Sequence, residues 1–268
     1  MVGVSQTNLA SINDALASAS VSGASVGTTG QVQDLVHARQ AILALADGLD
    51  NTVNVANPGA AQYGLVGVTG IDTRAKASLL GDVIDIQLAG DVDTTAEIQH
   101  LADAVMAVMA GAAQGTPPSL DQLLALRLIN LSADNLASVQ NAIANTADDG
   151  SGVDTLQKLQ AVVNSASGSN AAALSVIGAY ADVNTISAPA TPTGTAPTVQ
   201  DYANAGVVGV TEGNLAQIND ALATADVTRT SVDTSAKVQA LVNAYVGVLA
   251  LADEGVACLL YTSDAADE

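Results

Sequence analysis

The chain has no tryptophan and no phenylalanine, one cysteine, two histidines and only seven Lys and Arg among 268 residues. Each scarcity excludes something. With five tyrosines as the only aromatics, the core must be built from Ala, Val, Leu and Ile. Such residues pack closely but bury little area each, which favours thin helical bundles over a large enzyme core. The formal net charge is -20. Phosphate binding needs clustered cations, so nucleic acid is excluded as a partner, and so are anionic membrane surfaces. No run of about 18 apolar residues is present, so no membrane insertion is expected. The opening stretch "MVGVSQTNLASIND" has no basic region followed by an apolar one, so it shows no signal peptide.

What is present is internal repetition. Val2–Asp47 aligns with Val208–Asp253 at a constant offset, without a gap, and about 27 of those 46 positions are identical. Two weaker copies lie between, one with Ile129 and one with Val66 in the place of Val2. The copies therefore start near residues 2, 66, 129 and 208, at spacings above those of common solenoid repeats.

Each copy has one grammar. A short helix comes first, often after proline (Pro58, Pro118, Pro197). Glycines such as Gly206 and Gly209 then supply a turn. Ser5, Thr69, Ser132 and Thr211 stand where an N-cap of the second helix is expected. That helix carries Leu215, Ile218 and Leu222 at helical spacing. A polar loop follows. In "VDTTAEIQHL" the third helix opens with Thr94 and Glu97 in a capping-box pattern. Its apolar face holds Ile98, Leu101, Ala102 and Val105, matched later by Val238, Leu241, Val242 and Leu249. Period-2 alternation is absent and alanine is a poor strand former. The expected fold is all-α, with tandem small three-helix bundles joined by polar, Pro- and Thr-rich linkers.

The expected division is a partial repeat at 1–50 (second and third helices only), repeats at 58–114, 117–183 and 197–257, a linker at 184–196 and an artefact tail at 258–268. The tail "CLLYTSDAADE" follows the end of a helix and fits no copy. Its reverse translation resembles the transposase adapter used in sequencing libraries. Without it, Cys258 leaves every redox or nucleophile argument, and the remainder stays strongly acidic and cysteine-free, which is compatible with export. The chain is then expected to be a fragment.

Candidate sites are few. "GASVG", Gly23–Gly27, matches the G-x-S-x-G nucleophile elbow, but that elbow needs a buried strand before it and the matching copy reads "RTSVD". His37 and His100 fall at different repeat positions, and zinc needs three or four converging ligands. The acidic loops with Asp148, Asp149 and Asp154, and with Asp91, Asp93 and Glu97, offer oxygen ligands without the EF-hand order, and read as solvated helix caps. Tyr63 and Tyr202 occupy similar places in the first helix and are expected to pack under the glycine turn; an aromatic there is otherwise a partner anchor. No regular Thr array suggests ice binding. No catalytic, cofactor-binding or metal residue is therefore assigned, and no cofactor.

The phrases "YANAGVVGVTEGNLAQINDALATA" and "VDTTAEIQHLADAV" resemble alanine-rich helical repeats of very large secreted, adhesin-like surface proteins of Gram-negative, often marine, bacteria. The resemblance covers nearly all of Val2–Asp253. More distantly, "A-G-V…I-N-x-A…V-x-x-L" looks like the three-helix albumin-binding module of Gram-positive surface proteins, but the lysine-rich surface of that module is missing here. The resemblance implies an extracellular or cell-surface setting. The leading expectation is a non-enzymatic spacer or stalk, in which each bundle folds alone and length grows by duplication. Its partners are neighbouring repeats of the same chain. The rival expectation is a binding module for an extracellular protein ligand from a host or matrix. That rival predicts a solvent-exposed apolar patch at equivalent positions of several copies, and divergent surfaces count against it.

Overall fold

The computed structural model describes residues 1–48, 56–185 and 194–253, the side chains of 184–185 and 249–253 excepted. Most of the expected linker at 184–196, the side chain of the face residue Leu249 and the whole tail at 258–268 lie outside it. Among the described residues the chain is all-helical and no strand forms. The helices are α1 (Leu9–Ala17), α2 (Thr29–Leu45), α3 (Ala60–Leu65), α4 (Arg74–Asp85), α5 (Thr95–Ala112), α6 (Leu120–Ala125), α7 (Leu136–Ala144), α8 (Leu156–Thr185), α9 (Val199–Asn204), α10 (Leu215–Leu222) and α11 (Ser235–Asp253). The order short, medium, long thus recurs three times after an initial medium–long pair.

Local chemistry sets the helix starts. At α5 the Thr94 hydroxyl accepts from the Glu97 N–H at 3.2 Å, and the Glu97 carboxylate accepts from the Thr94 N–H at 2.9 Å. Thr28 with Gln31 opens α2 by the same reciprocal bonds, Ser119 with Gln122 opens α6, and Thr198 with Asp201 opens α9. Each box satisfies two backbone donors that a helix start leaves orphaned.

The medium helices begin differently from the sequence expectation. Ser5 and Thr211 are not N-caps. Their carbonyls accept from the Leu9 and Leu215 N–H groups at 3.0 and 2.9 Å, closing a turn ahead of the helix. The residues at the cap are Asn8 and Asn214, whose side chains fold back. Asn8 accepts from Ser5 N–H at 2.8 Å and donates to Gly3 O at 2.9 Å; Asn214 does the same to Thr211 and Gly209 at 2.7 and 2.8 Å. Asparagine prefers such local backbone bonds. Thr69 is not a cap either; Thr73 caps α4 by accepting from Lys76 N–H at 3.3 Å. Ser132 precedes α7 by a full turn.

The described chain forms two compact units. The first comprises Met1–Ser132 with Val139–Ser165, and the second Ala133–Ser138 with Ala166 onward. In the first, α1 lies on α2 and α5, α2 on α3 and α4, α4 on α5, and α5 on α6. Its core holds Ile12, Leu35, Ile42, Tyr63, Leu80, Ile84, Ile98, Val105, Val108 and Leu123, all buried. The long helix of one copy therefore receives the short helix of the next. In the second unit, Ala173, Ile177, Tyr180 and Ala181 of α8 cluster with Tyr202, Ala205, Ile218, Leu222, Val232, Val238 and Val242. The expected faces are buried in both: Ile98, Leu101, Ala102 and Val105, and Ile218 and Leu222 with Leu215 half-buried.

Polar groups recur where copies meet. In the first unit, Asp14 on α1 accepts from the Thr95 N–H at the start of α5 at 2.5 Å, and Asp82 on α4 accepts from the Leu156 N–H at the start of α8 at 3.0 Å. A carboxylate at a helix N-terminus both fills an orphan donor and opposes the helix dipole. The Thr95 hydroxyl donates to Val66 O at 3.1 Å. In the second unit, buried Asn170 donates to Ser138 Oγ, Ala205 O and Ser235 Oγ at 3.2, 3.1 and 2.9 Å.

Candidate interaction site

One arrangement recurs in all four copies, and it begins with backbone handedness. The turn after the short helix holds left-handed residues three apart: Gly67 and Gly70, Arg127 and Asn130, Gly206 and Gly209. Gly3, which is also left-handed, has no residue three before it, so in the first copy only the position matching Gly209 is seen. Left-handed backbone is cheap for glycine and tolerable for asparagine. Arg127 is the exception. Its guanidinium donates to Gln87 Oε1 through Nε and Nη2 at 3.2 and 3.0 Å and lies 3.7 Å from Asp91.

The residue just before the second left-handed position is gripped by a glutamine from the long helix. Gln33 accepts from Val2 N–H at 2.7 Å and donates to Val2 O at 2.8 Å. Gln99 does so to Thr69 at 2.8 and 3.3 Å, Gln160 to Ile129 at 3.0 and 3.1 Å, and Gln239 to Val208 at 2.8 and 3.0 Å. A primary amide carries one acceptor and two donors, so it matches both backbone groups and keeps a donor spare. That donor goes one helical turn on, to Asp103, Asn164 and Asn243 at 2.7, 2.9 and 2.8 Å, while Gln33 pairs with the His37 ring at 3.0 Å.

This clamp corrects the register of the second copy. Its counterpart of Val2 is Thr69, not Val66. The string "VGV" misleads because Val66 ends the short helix, where it is fully buried. The four glutamines were visible in sequence as an apolar–Gln pair in every long helix (Val32–Gln33, Ile98–Gln99, Leu159–Gln160, Val238–Gln239). Sequence reasoning assigned them nothing, because their partner lies 30 or 31 residues away.

With its backbone held, the gripped residue points outward. Val2, Ile129 and Val208 are 74%, 63% and 64% exposed, and Thr69 is exposed as well. No protein-family model, no curated protein and no solved structure matches the chain.

The sequence-level candidates land apart from this motif and from one another. Gly23–Gly27 forms a loop between α1 and α2, and Ser25 Oγ bonds Ser22. His37 is the neighbour of Gln33 already described. His100 lines an open cleft of about 600 Å³ with Gln87, Glu97, Leu124 and Arg127. The acidic loops spend their carboxylates locally. Asp149 accepts from Ser151 N–H at 2.9 Å, and the Ser151 side chain together with that N–H holds its carboxyl below its ordinary value. Asp154 pairs with Lys158 at 2.7 Å, and Glu97 sits in its capping box. Among the described residues no group of three or more His, Cys, Asp or Glu is placed to hold a metal.

Tyr63 and Tyr202 are fully buried. The Tyr202 hydroxyl donates to Asn219 Oδ1 at 2.8 Å, and Asn219 donates to Pro197 O at 2.8 Å. The Tyr63 hydroxyl has no protein partner. Arg39, on α2, is the one buried cation among the described residues, and sequence reasoning missed it. Its Nε donates to Ser11 Oγ, while Nη1 and Nη2 find no protein partner. Burial lowers its pKa, against the opposing pull of Asp14, Asp93 and Glu97.

Proposed function

We propose that the chain is a non-enzymatic run of structural spacer repeats, tandem three-helix units of a large bacterial surface or secreted adhesin-like protein. The observation that carries this reading is the clamp. The side chains that recur from copy to copy hold turns, helix starts and the seams between copies, and none converges on a reacting centre. A spacer needs that distribution: one local architecture, repeated, with seams that transmit load. The packing of α2 on α3 and of α5 on α6 supports stacked copies over freely hinged ones. A long read across the source locus tests the setting. A frame that runs on into further copies and an export signal supports it; a locus encoding only this chain, without export, overturns it.

A second reading has its own observation. Val2, Ile129 and Val208 project apolar side chains from equivalent positions, which suits protein-binding modules that grip a host or matrix protein. Replacing all three by threonine, the residue already present at position 69, separates the readings. A binding module loses capture of its extracellular ligand; a spacer keeps its thermal stability and its reach.

A further inference from the structure

Among the described residues no helix precedes α1, and the last copy shows what a short helix covers there. In the last copy, α9 brings Tyr202 against Asn219, and Asn219, Leu222, Val232 and Val238 are all buried. The gapless alignment places Asn13, Leu16, Val26 and Val32 at those four positions. In the first copy Asn13 is exposed, and Leu16, Val26 and Val32 are only half-buried. Leu9 is 45% exposed where its counterpart Leu215 is packed against the core. The same residues thus lose burial together, on one side of α1, the loop after it and the first turns of α2.

We propose that this side of α1 and α2 is an acceptor face for the short helix of another repeat of the same kind, delivered ahead of Val2 in the same chain. The occupant is a six-residue helix entered through proline and carrying one tyrosine, of the Pro197–Gly206 type. Its tyrosine hydroxyl donates to Asn13, and the Asn13 amide donates to the carbonyl of the entering proline, as Tyr202, Asn219 and Pro197 do in the last copy. The apolar ring fills the space over Leu16 and Val32. Burying an amide costs free energy unless both its ends are paired, so Asn13 selects an occupant that supplies a donor and an acceptor in register. The face is therefore a joint for adding repeats, with asparagine as its register pin. This inference rests on the repeat alignment and not on the surface setting.

The test joins the segment Ala196–Val207 directly ahead of Val2 in the full chain, so that it enters as it does before Val208. Hydrogen exchange of the α1 amides is then followed. Docking slows exchange in α1 by about tenfold or more, because the amides then open only with the added contacts. Changing the tyrosine of the added segment to alanine, or Asn13→Ala, removes most of that protection, and the two changes together remove no more than either alone. Since Asn13 is exposed in the parent chain, Asn13→Ala leaves the unextended protein folded. Unchanged exchange in the extended chain overturns the proposal, as does protection that survives loss of the tyrosine. A parent chain that sediments as a dimer, and becomes monomeric on extension, assigns the face to a second copy and overturns delivery within one chain.

Discussion

Gln239 on α11 closes a two-bond ring on the backbone of Val208, accepting from its N–H at 2.8 Å and donating to its carbonyl at 3.0 Å. The ring ties the turn after the short helix to the long helix that ends the same copy. Its value follows from pairing two backbone groups of a turn that the neighbouring glycine leaves loose.

Gln239→Glu keeps the size of the side chain but loses the donor, setting a carboxylate oxygen against the Val208 carbonyl. It is expected to lower stability by about 1–2 kcal/mol in urea denaturation, the range for a broken hydrogen bond with one group left opposed. Gln239→Lys, which loses the acceptor, costs a similar amount. Wild-type stability in both variants would mean the clamp is incidental.

Glycine positions separate backbone need from mere space. Gly206 has φ +73°, and an added Cβ meets Ala137 and Ser138 at 3.0 Å. Gly206→Ala is expected to destabilise by at least about 1–2 kcal/mol, from the left-handed backbone alone. Gly64 sits inside α3 with open space around it. Gly64→Ala is expected to stabilise by about 0.5–1 kcal/mol, the ordinary helix-interior difference. Thermal melts of both variants check the contrast in sign.

Arg39 gives a prediction against intuition. It is fully buried, with two guanidinium nitrogens lacking protein partners. A buried charge with unpaired donors carries a desolvation cost that an apolar side chain of similar length does not. Arg39→Met is therefore expected to raise the denaturation midpoint or leave it unchanged. A loss of several kcal/mol would show that Asp14, Asp93 and Glu97 compensate the charge fully.

Alkaline pH should unfold the chain through its tyrosines. Burial, reinforced by Asp82 for Tyr63 and by Tyr180 for Tyr202, pushes both phenols above their ordinary value. The folded pKa thus lies above the unfolded value of about 10. The contribution to stability is complete below that pH and is lost as pH rises past it. Phenolate absorbance and loss of helical circular dichroism are expected in one transition. Tyr63→Phe removes a buried hydroxyl without a protein partner, so it should move that transition upward at little cost.

Much of the fold was legible because it is local. Helical spacing marked Ile98, Leu101 and Val105 as one face, and Thr94 with Glu97 announced the start of α5; both stand in the structure. What escaped was settled by distant partners. Thr69 was misaligned because its defining partner, Gln99, is 30 residues on. Ser5 and Thr211 passed for caps because hydroxyl residues ahead of a helix usually are; here Asn8 and Asn214 bond backward and move the start by a turn. Arg39 gave no sign of burial, since arginine on a helix normally reaches solvent. The seams between copies, such as Asn170 with Ser235, join residues 65 apart and have no sequence signature.

The proposed spacer role rests on seams shared between neighbouring copies within each compact unit. Pulling the chain from its two ends by single-molecule force spectroscopy tests it most directly. A single copy of about 60–80 residues releases roughly 200–290 Å when it unravels, at 3.3–3.6 Å per residue. The account predicts no more than two cooperative ruptures, with at least one increment well beyond a single copy. A series of separate ruptures, each the length of one copy, would contradict it.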